Sequence, residues 1–139
     1  MELIFDRTEA DSLLGNEKGR YTYQDLNRVE SAVAELCVLA EKLDVHLLLQ
    51  TKTDWARPGM FSVDTWPTQT QMQRYLQNVH VLCDALETKQ PLPSSMAMLN
   101  WESANAIEKA LATTLARVQG IINNYQYSGE LIAGEEQIL

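Results

Sequence analysis

A chain of 139 residues with 45% hydrophobic content is long enough to bury a core of its own and too apolar for a disordered polymer, which points to a single domain spanning 1–139. Its 19 acidic against 11 basic side chains, a net charge of −8, leave little material for the basic face that neutralises nucleic-acid phosphates or settles on an anionic bilayer, so neither nucleic acid nor membrane is an expected partner. The opening MELIFDRTEAD lacks the basic and apolar regions of a secretory signal, and the longest apolar run, Val45–Leu49, is far too short to cross a membrane; Cys37 and Cys83 are accordingly expected as reduced thiols.

Residues 1–19 read as an N-terminal arm. Leu3 and Phe5 alternate with polar residues, as in a short strand or extended segment. Thr8 and Asp11 have the hydroxyl-x-x-acid spacing of a helix start, and Gly15 after Leu13 and Leu14 gives a helix of about two turns with a glycine stop. The loop Gly15–Arg20 carries two glycines and two cations but lacks the spacing of a phosphate-binding loop, and reads as a connector.

The stretch Thr22–Leu43 organises the chain. Thr22 is placed to cap a helix, with Asp25 at its third position, and Leu26, Val29, Val33, Leu36, Cys37, Ala40 and Leu43 recur at steps of three and four along one face. Val38 and Leu39 lie off that stripe and widen it, which marks them as candidate contact residues within the fold or with a partner. After Asp44 the period changes. Val45–Lys52 is a strand-length run whose alternate faces are Val45/Leu47/Leu49/Thr51 and His46/Leu48/Gln50/Lys52. The loop Thr53–Pro67 follows, and its aromatic residues Trp55, Phe61 and Trp66 make it the most distinctive non-repeating segment.

A second helix opens at Thr68 with Gln71 three residues on, carries the stripe Met72, Tyr75, Val79, Leu82, Cys83 and Leu86, and is broken by the two prolines of TKQPLP. A third begins near Asn100 and repeats the pattern at Ala104, Ile107, Leu111, Leu115, Val118 and Ile121 or Ile122; Gly120 weakens its second half. Tyr125–Ala133 reads as a hairpin around a Ser128-Gly129 turn, with Val45–Lys52 as its sheet partner, before an acidic, flexible tail at 134–139. The expected fold class is therefore mainly α: a three-helix bundle with a small antiparallel β-sheet made of strand 45–52 and the C-terminal hairpin.

The three helices align with one another. Thr22, Arg28, Val33 and Cys37 match Thr68, Arg74, Val79 and Cys83 at a constant offset, and Asn27 and Glu30 match Asn105 and Glu108 at another. The two offsets give unequal spacing, unlike a regular solenoid. A buried amide network at Asn27 and Asn105 is one reading; Glu30 and Glu108 are expected at a solvated edge.

No catalytic apparatus emerges. Cys37 and Cys83 occupy stripe positions as small apolar residues, without the paired spacing of a zinc site, and no metal or cofactor is expected. His80 and Asp84 stand one turn apart, with no nucleophile tied to them. Asp54 and Asp64 flank the tryptophan loop, where Trp55 and Trp66 would stack on a sugar ring; the plainer reading has the tryptophans anchoring the loop.

Tyr23-Gln24-Asp25-Leu26-Asn27-Arg28-Val29-Glu30, followed by Lys52-Thr53-Asp54-Trp55, Trp66-Pro67-Thr68 and Tyr127-Ser128-Gly129-Glu130, resembles small proteins and domains encoded among the virion structural genes of phages and prophages of anaerobic Gram-positive bacteria. The resemblance implies a tail-associated or structural role without enzymatic activity and assigns no catalytic residue. The expectation is a non-enzymatic module that binds other phage structural proteins or itself as a homo-oligomer. It would be located in the virion if phage-borne and in the bacterial cytoplasm during expression. The alternative is a carbohydrate-binding or host-recognition module built on the Trp55–Trp66 loop.

Overall fold

The structure, a computed structural model, describes residues 2–57 and 66–136, with the backbone alone over 125–136. It contains α1 (Glu9–Leu14), α2 (Tyr23–Glu41), α3 (Gln69–Ala85) and α4 (Trp101–Glu136). Local chemistry sets the starts of all four. Thr8, Thr22 and Thr68 are N-caps in extended backbone, each in a reciprocal capping box with Asp11, Asp25 or Gln71. At the fourth start the Asn100 carboxamide accepts from the Ser103 N–H at 2.7 Å.

The helix ends are less well matched to their backbone. Gly15 closes α1 in the left-handed region at φ 61, where a glycine is at ease. After α2 and α3 the same conformation falls on Asp44 and Glu87, at φ 60 and 57. In each case the next amide reaches back to a carbonyl in the last turn, Val45 N to Ala40 O at 3.0 Å and Thr88 N to Cys83 O at 2.8 Å, which satisfies a backbone acceptor that the helix alone leaves unpaired. Gly19 is required for a different reason: a β-carbon there would lie 1.9 Å from the Asp11 carbonyl oxygen.

Helices α2, α3 and α4 pack pairwise on one another. Their shared seam holds Val29, Val33, Leu36, Val79, Leu82, Ile107, Leu111 and Val118, all at most 2% exposed, so the apolar stripes read from the sequence do meet in one core. Cys37, Met72 and Leu115 pack partly buried at its edge, whereas Ile121 is 39% exposed. Helix α1 buries none of its own residues.

The expected β-sheet is absent: no strand is present among the described residues. Residues 45–50 do alternate in burial, with Val45, Leu47 and Leu49 half-buried and His46, Leu48 and Gln50 exposed, but none of 45–52 forms a strand. What is missing is a second strand. Side chains of α2 and α3 take polar groups at the end of the run instead: Arg74 and Asn78 donate to the Gln50 carbonyl, and Glu30 accepts from the Lys52 amide. The segment proposed as a hairpin, 125–133, is helical and belongs to α4, which also includes Gly134–Glu136. Extending an existing helix adds a hydrogen bond per residue fixed, whereas an isolated two-stranded hairpin is marginal in water. Ser128 and Gly129 weaken that helix locally without stopping it. Residues 137–139 of the expected tail lie outside the described residues.

Two substitutions follow from these backbone observations. Glu87→Gly relieves left-handed strain at an exposed position and is expected to raise unfolding stability by about 1 kcal/mol. Gly120→Ala adds a methyl that meets nothing within 4 Å and restores helix propensity, for a gain of about 1 kcal/mol. Urea unfolding monitored by far-UV circular dichroism would register both as higher midpoints with an unchanged slope.

Candidate functional site

The bundle contains charge at its centre. The buried charged side chains among the described residues are Arg7, Asp25, Glu30 and Glu108. A carboxylate inside an apolar seam survives ionised only if its oxygens are met by cations and N–H donors. Glu108, on α4 and 0% exposed, has all of these. Oε1 accepts from Arg28 Nε at 2.6 Å and from the Ile4 backbone N–H at 2.9 Å. Oε2 accepts from Arg7 Nη2 at 2.7 Å and from Arg28 Nη2 at 2.9 Å. Asp25 completes the cluster, accepting from Arg7 Nη2 at 3.2 Å and from Arg28 Nη2 in a short contact. Two arginines thus balance two carboxylates. Burial works against the charge on Arg28, but its hydrogen bonds to Glu108 and Asp25 outweigh burial and hold its pKa above the ordinary arginine range.

Glu30, on α2 and 1% exposed, is the second centre. Arg74 from α3 grips it with both terminal guanidinium nitrogens, Nη1 and Nη2, at 2.6 and 3.0 Å; this hydrogen bonding raises the arginine's pKa against the effect of burial. The Trp55 indole N–H donates to Oε2 at 2.6 Å and the Lys52 amide to Oε1 at 3.1 Å.

The two centres follow the same plan. On α4, Asn105 brackets the backbone of Arg7: its oxygen accepts from the Arg7 N–H at 3.0 Å and its amide donates to the Arg7 carbonyl at 2.9 Å. On α2, Asn27 brackets Trp55 in the same manner, at 2.7 and 2.8 Å. Three residues before the bracketed residue, a backbone N–H (Ile4 or Lys52) donates to the glutamate one helical turn on from the asparagine. The bracketed residue's own side chain, Arg7 or Trp55, then folds onto that glutamate's other oxygen. Each Asn-x-x-Glu is therefore a clamp that fastens a non-helical segment to a helix. The recurrence of Asn27/Glu30 at Asn105/Glu108 pointed to it. The expectation of a solvated edge for the glutamates was wrong, because charge alone does not reveal that Arg7, Arg28 and Arg74 come from elsewhere in the chain to meet them.

Beside the first cluster, Tyr21 and Tyr75 hydrogen-bond through their hydroxyls, and Arg7 lies over the Tyr21 ring, 5.6 Å from its centroid. Burial pushes both phenols well above the ordinary tyrosine range. An open groove of about 950 Å³ adjoins this pair and is lined by Tyr23, Met72, Trp66 and Leu99 among others.

The remaining candidates separate. Trp55 is 3% exposed and its indole N–H is engaged, whereas Trp66 is 58% exposed on the groove. Val38 is 61% exposed; Leu39 packs partly buried against the core. Phe61 and Asp64 lie outside the described residues, and the exposed Asp54 pairs with Lys52 at 2.8 Å. His80 approaches the Pro93 carbonyl at 3.3 Å. Cys83 is buried with its sulfur 3.7 Å from the Thr114 hydroxyl, and burial, aided by the charge of Glu41, raises the Cys37 thiol, which disfavours a reactive thiolate.

No family model, curated protein or solved structure matches this chain.

Removing one member of a largely buried ion cluster leaves the others uncompensated. Glu108→Ala is expected to destabilise the fold by about 3–5 kcal/mol, whereas Glu102→Ala at the exposed start of α4 changes stability by less than about 0.5 kcal/mol; chemical unfolding of both variants checks the contrast. The tyrosine pair adds a pH dependence. Because folding raises both phenol pKa values, the unfolded chain releases these protons first. Stability is then undiminished below about pH 10 and falls above it, by up to about 1.4 kcal/mol per pH unit for each phenol. Tyr75→Phe would shallow that alkaline decline in a series of unfolding curves between pH 8 and 11.

Proposed function

We propose that this chain is a non-enzymatic interaction module of the virion structural kind, binding other subunits of a phage particle or further copies of itself. The reading rests on the sequence resemblance and on the distribution of polar and apolar groups. The interior charges are fully engaged in fastening the chain to itself, which suits a scaffold. Meanwhile α1, which buries none of its residues, leaves Leu13 and Leu14 81% and 77% exposed, and Val38 stands 61% exposed on α2. The exposed leucines of α1 are the observation that carries the proposal: a capped helix set against Gly19 yet contributing nothing to the core is suited to contact with another molecule. The carbohydrate reading has less support, since burial of Trp55 leaves Trp66 as the loop's one described tryptophan with an open face.

The test is co-expression with the products of the flanking genes, followed by affinity purification and light scattering. A stable complex, or a mass above the 15.7 kDa of one chain, is expected, with Leu13→Asp/Leu14→Asp weakening it at unchanged melting temperature. A strict monomer at high concentration that retains none of those products would contradict the proposal.

A further inference from the structure

Three non-helical segments run over the bundle: residues 2–8, 45–57 and 88–100. The clamps fasten the first two, through hydrogen bonds to backbone groups of Ile4, Arg7, Lys52 and Trp55. The third has no clamp. Its helix, α3, carries Gln73 and Leu76 where the clamps have asparagine and glutamate, and a leucine cannot accept an N–H. Among the described residues, one side-chain hydrogen bond joins α3 to this segment: His80 Nε2 donates to the Pro93 carbonyl at 3.3 Å. The other anchors are apolar, with Leu92, Met96 and Leu99 packed partly buried against the core. Between them Ser94, Ser95, Ala97 and Met98 are exposed. Met98 is 97% exposed and sits in the left-handed region at φ 57, which is unfavourable for a residue with a β-carbon.

The segment also stands off from α3. An open groove of about 900 Å³ lies between residues 94–97 and Gln73, Gln77 and His80. The groove of about 950 Å³ beside Tyr21 and Tyr23 lies on the other side. Pro67, Met72 and Met96 line both, so they form the wall between them. Methionine is unbranched and repacks readily, which makes Met72 and Met96 the movable part of that wall.

We infer that residues 92–99 are a strap that opens while the bundle stays folded, and that opening withdraws Met96 from the wall and joins the two grooves into one cleft. Both ends of the strap are held. Before it, the buried Thr88 bonds to the Cys83 carbonyl through its amide and to Thr114 through its hydroxyl. After it, Asn100 caps α4. The difference in fastening decides which of the three segments moves. Lifting 4–7 breaks hydrogen bonds to Glu108 and exposes a charge cluster that depends on Arg7. Lifting 52–55 strips two donors from Glu30. Lifting the strap breaks one hydrogen bond and frees side chains that are only partly buried, the conditions under which local opening is least costly. Opening requires no partner, so it stands or falls apart from the interaction-module reading.

Relaxation dispersion on the methionine ε-methyl groups of the full chain reads this motion. Met72 and Met96 should exchange together on the microsecond-to-millisecond scale, while the amides of Ile4 and Lys52 give flat profiles. His80→Ala removes the one polar tether and should raise the open population about fivefold, the equivalent of one net hydrogen bond, with Ile4 and Lys52 still flat. A flat profile at Met96 in the wild type would overturn the strap. Exchange at Met96 without Met72 would overturn the joining of the grooves. Exchange shared at one rate with Ile4 and Lys52 would report motion of the whole fold and overturn the inference. An open population unchanged in His80→Ala would overturn the role of His80 as the tether.

Discussion

The Glu108 carboxylate is the constraint that the rest of the structure must satisfy. It is placed by the apolar register of α4: Ile107 and Leu111 must face the seam, and the residue between them that shares their face is an acid. Removed from water, it requires cations and N–H donors on both oxygens. The chain supplies Arg28 from α2, and from the N-terminal arm both Arg7 and the Ile4 amide. One buried charge therefore draws an arm from the beginning of the sequence onto a helix near its end, and it does so with directional bonds that an apolar contact would lack. Charge in a core is weak evidence for net stability, since a well-packed apolar substitute is often as good. Its evident effect here is to specify which segment lies where.

The same device on α2 explains how a mainly helical chain holds non-helical segments with no strand among the described residues. An extended backbone normally finds its hydrogen bonds in a neighbouring strand. In the two clamps, an asparagine satisfies both backbone groups of one residue and a glutamate takes the amide three residues earlier, so the segment is fixed by helix side chains. Helix α3 breaks the pattern. The positions matching Asn27 and Glu30 are Gln73 and Leu76, and α3 instead lends Arg74 to Glu30 and Asn78 to Gln50. The three helices therefore share stripes and caps but divide the polar work unequally: α2 and α4 hold segments, and α3 supplies donors.

The sequence made local features legible and long-range ones much less so. Thr22 with Asp25, and Thr68 with Gln71, announce helix starts because capping depends on residues three apart. Val33, Val79 and Leu111 announce the seam because helix geometry puts steps of three and four on one face. Val45–Lys52 announced an extended conformation through its alternation, but alternation says nothing about whether another strand is available, and the assumed sheet failed there. Tyr125–Ala133 misled for a related reason: strand-favouring tyrosines and a Ser-Gly pair are local signals, overridden by propagation from the helix already formed. The clamps were half visible. Recurrence of Asn27 and Glu30 at Asn105 and Glu108 showed that something was repeated, but the cations that neutralise the glutamates lie up to about a hundred residues away in the chain, as Arg7 does from Glu108.

Hydrogen exchange at individual amides tests the clamp account most directly. Extended, non-helical segments at a bundle surface ordinarily exchange fast, because nothing but water holds their N–H groups. If the two asparagine–glutamate clamps organise this fold, the amides of Ile4, Arg7, Lys52 and Trp55 exchange at rates comparable to those in the middle of α2 and α4. Exchange of these four amides at the rate of an open coil, with the helices still protected, would contradict it.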